Sequence, residues 1–343
     1  MTQPGEFSSP SYEPEETAIA VAEQPEPRTV YRDRPVVVTG ASGHVGTRTC
    51  TELVRKGFKV RAIVRNTTRA AERLGHLRIE IRAADIRDGN AMRTALAGAG
   101  SLVHLAAIAI EKPGESYEDT NTRATDVLLD AAKAEKVGRI IYMSQNGADS
   151  QSPYRFLRSK GRAQDAVTSS EAKWSVLKPS VIFGPDDEFV NVLARLVRLS
   201  PIVYPLPGGG VARFQPVAVG DVARAIVKCL EDKATIGRIY SIGGPVPLTL
   251  RQMTERILVA MNASRILVGV PVSLLRPVIA IAQRLLPKPP VTTGLLDLLK
   301  VDNVVEPNEL VTELGIDPLP FAPEELFYLR NISTKDALRS LLG

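Results

Sequence analysis

Val36-Val37-Val38-Thr39-Gly40-Ala41-Ser42-Gly43-His44-Val45-Gly46 is the stretch that decides the fold of this 343-residue chain. A run of branched apolar residues, suited to a strand buried on both faces, leads into glycines spaced Gly-x-x-Gly-x-x-Gly. A helical run over 47–56 follows. Strand, glycine turn and helix, in that order, form the context a dinucleotide-phosphate loop requires. Gly40 lets the chain turn off the strand, Gly43 lets backbone N–H groups approach a pyrophosphate, and Gly46 lets the helix pack closely. The helix start then offers unpaired N–H groups and the positive end of its dipole to the phosphates. Ser42, His44 and Val45 belong to the same predicted cradle.

Outward from this loop, strand patterns at 59–64, 77–82, 101–107, 139–144 and 174–178 alternate with helical ones at 90–97, 124–136 and 154–170. Such alternation predicts an α/β protein with a doubly wound parallel sheet of Rossmann type, whose ligands sit at the carboxyl ends of the strands. Past Pro179 the prolines 201, 205 and 207 and the triplet Gly208-Gly209-Gly210 break the chain into short pieces. We expect a smaller C-terminal α/β lobe there. The predicted division is a tail over 1–34, a nucleotide-binding domain over 35–180 and a lobe over 181–343 interleaved with that core. Asp221 is read as the N-cap of a helix over 222–230.

Cys50 and Cys229 are the only cysteines, which excludes a disulfide scaffold or a cysteine-rich metal site and fits a reducing, cytoplasmic setting. His44, His76 and His104 lack metal-ligand spacing, so no metal is expected. The first 27 residues hold six glutamates and no Lys or Arg. With their Pro and Ser content they read as a disordered acidic tail rather than a signal peptide. The whole chain is +5, so the remainder carries +11. A basic body on an acidic tail serves solubility, or offers a face to anionic lipid or an acidic partner. Nucleic acid is not expected, because aromatics are few and no binding motif is present.

Cofactor choice turns on the end of the second strand. An acidic residue about 20 positions after the loop would hold the ribose 2′-OH of NAD. Here the strand ends Val64-Arg65-Asn66, and Arg65, with Arg69 nearby, suits a 2′-phosphate. NADP(H) is therefore predicted over NAD(H). Asp85-Ile86, ending the third strand, either lies along the adenine or places Asp85 as a helix-capping loop residue.

The ordered set of Thr39 to Gly46, Val103-His104-Leu105-Ala106-Ala107, Asn121 opening a long helix, Ser144 ending a strand, and Lys178-Pro179-Ser180-Val181-Ile182-Phe183-Gly184-Pro185 resembles the extended and atypical short-chain dehydrogenase/reductases, nearest the NAD-dependent epimerase/dehydratase branch. The stretch from Pro153 to Lys160, the Phe183-Gly184-Pro185 turn, and Phe214-Gln215-Pro216-Val217 with Asp221 are most similar to the subgroup holding the NAD(P)H-binding accessory subunit of respiratory complex I and its bacterial relatives. The resemblance implies a Rossmann fold that binds the dinucleotide through the glycine loop, Leu105, Ala106, Ala107, Asn121, Pro179 and Val181. It also implies that a Ser, a Tyr and a Lys share the chemistry in active members, with the Tyr as proton donor.

Ser144 and Lys160 fill the serine and lysine positions, as catalytic groups or as cofactor ligands. The tyrosine belongs four residues before the lysine, one helical turn away on the same face, and that position is Phe156. A phenyl ring carries no exchangeable proton. Tyr154 is the nearest substitute, rotated roughly 120° away on a regular helix. Two functions follow. One is a non-catalytic or weakly catalytic NADP(H)-binding subunit of a respiratory or quinone-linked membrane assembly. The other is an active reductase, isomerase or epimerase on an apolar, isoprenoid-like substrate. A redox-sensing regulator on the same fold is a third, lesser reading.

The stretch 265–286 is the most apolar in the chain, but Arg276 and Pro277 interrupt it, and its uninterrupted part is too short to span a bilayer. Leu274, Leu275, Val278, Ile279, Ala282, Leu285 and Leu286 are read as one helical face, with Arg276, Gln283, Arg284 and Lys288 towards another or just beyond. That pattern fits an interfacial helix on anionic lipid or a docking face for membrane-complex subunits, at the inner face of the cytoplasmic membrane. Packing on its own lobe is the plainer alternative.

Overall fold

The computed structural model describes residues 32–286, 289 and 291–342. The predicted acidic tail, but for its end, and Lys288 lie outside the described residues.

Seven parallel strands form the main sheet. In chain order the first six are β1 (Val36–Thr39), β2 (Val60–Val64), β3 (Glu80–Ala83), β4 (Ser101–His104), β5 (Arg139–Met143) and β6 (Trp174–Pro179). Four short strands, β7 (Ile182–Phe183), β8 (Val203–Pro207), β9 (Arg213–Phe214) and β10 (Val217–Ala218), precede the seventh, β11 (Arg238–Ile242). Sheet order is β11-β6-β5-β4-β1-β2-β3, so the winding reverses between β1 and β4. A doubly wound sheet opens its ligand crevice at that reversal. β1 is buried along its whole length and pairs Thr39 with His104 of β4. At the sheet edge, β3 is exposed at both ends, half-buried between them, and carries Glu80 and Arg82, charges that blunt an open edge.

Helices α1 (His44–Arg55), α2 (Thr67–Leu74), α3 (Gly89–Leu96), α4 (Ala124–Ala134), α5 (Arg155–Thr168), α6 (Val190–Leu199) and α7 (Val219–Glu231) follow. Then come β12 (Leu248–Thr249), α8 (Leu250–Ala260), β13 (Ile266–Val270), α9 (Val272–Leu285), α10 (Thr293–Leu298), α11 (Glu309–Thr312) and α12 (Thr334–Leu342). A buried cluster around Val38, Leu53, Ile226 and Ile242 joins α1 and α7 to one sheet face. A second, around Val37, Met92 and Leu128, covers the other face. The C-terminal lobe has its own core around Phe183, Tyr204, Phe214 and Met253.

Two sequence expectations shift. The third strand begins at Glu80, and Leu77 and Ile79 before it pack, partly buried, against the core. Beyond residue 180, α7 and β11 return to the nucleotide-binding core. Asp221 is no N-cap: Ala218 holds that position, and Asp221 lies inside α7. Its buried carboxylate accepts from Arg224 Nη2 at 2.7 Å and from the Leu319 amide at 2.7 Å, pinning the C-terminal segment to the core.

Candidate functional site

A cavity of about 900 Å³ opens at the carboxyl ends of β1 and β4 and runs into the C-terminal lobe. Every residue predicted for the cofactor or the chemistry lines it except Asn121, Tyr154 and Pro179.

Its floor is the glycine loop. Gly40 has φ +68°, and a Cβ there would sit 2.9 Å from the Ala106 amide nitrogen. The loop thus lies against the end of β4 as no other residue would allow. A Cβ on Gly46 would sit 2.1 Å from the Gly40 carbonyl, so that glycine sets how close α1 comes to the loop. No side chain caps α1 and no acid occupies its first turn. The helix start keeps its N–H groups and positive dipole end available to an anion. His44 places Nδ1 2.8 Å from the Pro185 carbonyl, which can only accept, so Nδ1 carries the proton. Its Nε2 is buried without a partner, and burial lowers the ring's pKa.

At the outer end of the cleft stand Arg65, Asn66, Arg69, Asp85 and Arg87. Arg65 forms an ion pair with Glu115, on the loop that crosses from β4 to α4. The same loop is tied on its other side by Glu111 to Arg155, at 2.7 Å. The capping role open to Asp85 belongs to Asp88, whose carboxylate accepts from Asn90 and Ala91 at the start of α3. Asp85 instead holds Arg87 at 2.6 Å, and those hydrogen bonds keep its carboxyl below the usual range. Sequence reasoning missed Arg87. It also missed Arg73, which donates to the Ser42 carbonyl at 2.9 Å and pairs with Asp186, bracing the glycine loop from beneath.

At the inner end, Ser144 closes β5 with its Oγ buried and unpartnered. Lys160 is buried on α5. Its Nζ donates to the Met143 carbonyl at 2.7 Å and lies 4.6 Å from the Tyr142 ring centre, and burial pulls its pKa down to about 7. Gly161 lets α5 approach this closely, since a Cβ there would meet the backbone of Asp149 and Ser150 at 2.2 Å. Phe156 faces the cavity one turn before Lys160 and packs on Tyr117, with ring centres 5.7 Å apart. Helix α5 begins only after Tyr154, and still Tyr154 stays outside the cavity. Asn121 is a clamp: its amide exchanges hydrogen bonds with both backbone groups of Ile108 and donates to Ser159 Oγ at 3.1 Å. Pro179 gives its carbonyl to the Asn146 amide at 2.9 Å. His104 bridges Thr39 and Thr125 in the core, and burial holds its pKa down at about 3, so it is a strut and not a proton carrier.

These features fit a dinucleotide: an uncapped helix start, a glycine loop packed against β4 and α1 too closely for any Cβ, and an unpartnered Ser144 hydroxyl at the inner end. Bound there, such a cofactor would supply hydride. Among the described residues no cluster of His, Cys, Asp or Glu is placed to hold a metal ion.

Beyond Phe156 the cavity turns apolar. Helices α6, α9 and α10 line it with Leu193, Leu196, Leu275, Ile279, Leu295 and Leu298. Sequence reasoning did not foresee this chamber, because its walls come from segments far apart in the chain.

The family model described as NAD(P)H-binding matches residues 40–233. The chain is 31% identical over 64% of its length to subunit 9 of the NADH dehydrogenase (ubiquinone) 1 alpha subcomplex of Arabidopsis thaliana, and the match spans 56% of that protein. It is 35% identical over 61% of its length to sterol demethylase protein B of Methylococcus capsulatus, covering 69% of that protein. Its fold matches dTDP-glucose 4,6-dehydratase of Streptomyces venezuelae, solved with NAD and TYD bound, at a TM-score of 0.67 and 20% identity, over 86% of this chain and 96% of that one.

Proposed function

The chain belongs to the NAD(P)H-binding family, and on that premise we propose that it is an NADP(H)-holding subunit of a membrane-bound, quinone-linked assembly that does little or no hydride chemistry with its cofactor. Phe156 carries this proposal. It occupies the cavity wall one turn before Lys160, where a proton donor belongs, and Tyr154 does not take its place. A nucleotide held only by the folded state still stabilises it, by about 4 kcal/mol at a thousandfold excess over Kd. Similarity to the Arabidopsis subunit supports the respiratory link. Arg65 and Arg69 at the outer end of the cleft support NADP(H) over NAD(H). The exposed apolar residues of α9 support a peripheral place at the inner face of the cytoplasmic membrane. Among the described residues no helix is long and apolar enough to cross one.

The test is purification from native membranes, with mass spectrometry of the released nucleotide and of co-purifying proteins. Bound NADPH together with subunits of a quinone-reducing complex is the expected result. NAD, or no nucleotide, would overturn the cofactor assignment.

One observation favours a second function, an active reductase or epimerase on an apolar substrate: the apolar chamber opens directly from the Ser144 end of the cleft. NADPH oxidation across a panel of apolar carbonyls and quinones by the unaltered protein would establish it and displace the first.

A further inference from the structure

Helix α9 is apolar on two adjacent stripes rather than one. Leu275, Ile279, Ala282 and Leu286 line the chamber. Leu274, Val278, Ile281 and Leu285 point outward, each at least 60% exposed. Both sets follow the i, i+4, i+7, i+11 spacing of a single helical stripe, offset from each other by one residue. No residue of α9 is buried. A packed helix turns one apolar stripe inward and keeps polar residues outside. Here the outer wall of an internal chamber is itself greasy on its solvent side. Exposed Ile266 and Val268 of β13, just before α9 in the chain, and Ile202 and Val203 where its partner strand β8 starts extend the apolar surface.

Charge says what covers it. Between Glu255 and Asp297 the chain has no acidic residue, but has Arg256, Arg265, Arg276, Arg284 and Lys288. Arg276 is paired with Asp297, and an apolar face in a segment that stays basic through Arg256, Arg265, Arg284 and Lys288 complements an anionic bilayer surface. Polar ties hold α9 to α10 at the chamber wall: Arg276 pairs with Asp297 at 2.7 Å, and Gln283 accepts from the Thr293 amide at 3.2 Å. Pro277 removes one backbone hydrogen bond in the middle of the helix.

We propose that the apolar chamber is a binding site for the long apolar tail of a membrane lipid, and that α9 rests on an anionic bilayer as the wall through which the tail enters. The head of that lipid then lies at the polar end of the chamber, near Ser144 and Asn146. This extends the membrane placement proposed above but requires neither hydride transfer nor a respiratory partner. An isoprenoid quinone and a fatty acyl chain share the tail chemistry.

Two pairs of substitutions separate the two faces. Val278→Glu with Ile281→Glu alters only the outer stripe, and Ile279→Trp with Ala282→Trp fills the chamber. The full chain is sedimented with vesicles of mixed phosphatidylglycerol and phosphatidylcholine, and separately passed through gel filtration with ubiquinone-2 or palmitate before mass spectrometry. NADPH binding reports the fold of each variant. The unaltered protein should pellet with anionic vesicles and retain one or both tails. The outer-face variant should lose vesicle affinity at least about tenfold, since two apolar side chains no longer enter the bilayer, and keep its tail site. The chamber variant should pellet normally and retain neither tail. Retention of ubiquinone-2 alone makes the tail isoprenoid, and retention of palmitate alone makes it acyl. No pelleting by the unaltered protein, no tail retained, or tail binding untouched in the chamber variant would overturn the proposal. NADPH binding that persists in those cases leaves the cofactor assignment standing.

Discussion

Lys160 and Phe156 line the same cavity one helical turn apart, and Lys160 Nζ is held 2.7 Å from the Met143 carbonyl. Lysine, serine and cleft are thus assembled around a position whose side chain carries no exchangeable proton. Burial alone pulls Lys160 down to about 7, so the site keeps an amine of adjustable charge beside an unpartnered Ser144 hydroxyl.

Phe156→Tyr should therefore create activity. A positioned acid–base group typically contributes about 10²- to 10⁴-fold. NADPH consumption with carbonyl substrates, followed by absorbance, should rise at least about a hundredfold over the parent, in keeping with that range. Lys160→Met in the same background should remove the gain. If tyrosine at 156 leaves the protein inert, Ser144 and Lys160 serve only to hold the cofactor.

Arg65→Ala should raise the Kd for NADPH about tenfold or more, a cost of about 1.4 kcal/mol, while moving NADH far less. Glu115→Gln frees Arg65 from its ion-pair partner and should tighten NADPH. Calorimetric titration of both nucleotides into both variants tests this. Equal losses for NADPH and NADH on Arg65→Ala would remove the 2′-phosphate assignment.

Lys160 also makes the nucleotide-free protein more stable as pH rises above neutral. Its folded pKa, about 7, lies below its ordinary 10.5, so the unfolded chain binds more protons between those values. Stability then rises with pH across that window. From pH 7 to 8.5, before the raised thiols of Cys50 and Cys229 begin to oppose it, the gain should approach about 1.4 kcal/mol per pH unit. Urea unfolding of the parent and of Lys160→Met measures it. A parallel pH dependence in the two proteins would mean that Lys160 is hydrated in solution.

Gly46→Ala places a Cβ 2.1 Å from the Gly40 carbonyl, backbone that cannot swing away. Helix α1 must shift off the loop, at a cost of about 1–3 kcal/mol for overpacking. Thermal unfolding should move down, and NADPH affinity should fall with it because the helix start leaves the phosphates. An unchanged melting temperature would show that the loop yields more easily than its contacts imply.

Much of the fold was legible from local spacing. The branched run at Val36, the glycine triplet and the alternation of periods two and 3.6 predicted the parallel sheet and its crevice. Fifteen of the site residues singled out by sequence line the cavity, because motifs at strand ends converge wherever parallel strands end together. Asn121 and Tyr154 behaved otherwise for local reasons. Asn121 is consumed by the backbone of Ile108, and the extended backbone at Tyr154 keeps its ring from the cleft.

The sequence by itself determined that the chain holds a dinucleotide and that position 156 cannot give up a proton. Both facts reside in the chemistry of single residues and in short spacings. Only the tertiary structure decided which apolar stripe of α9 faces a chamber and which faces out. Sequence had merged the two into one face, since spacing sets angle around a helix and says nothing of what stands opposite. The chamber, the Arg65–Glu115 tie across the cleft and the return of β11 to the sheet are likewise contacts between distant segments, fixed by packing of the whole chain.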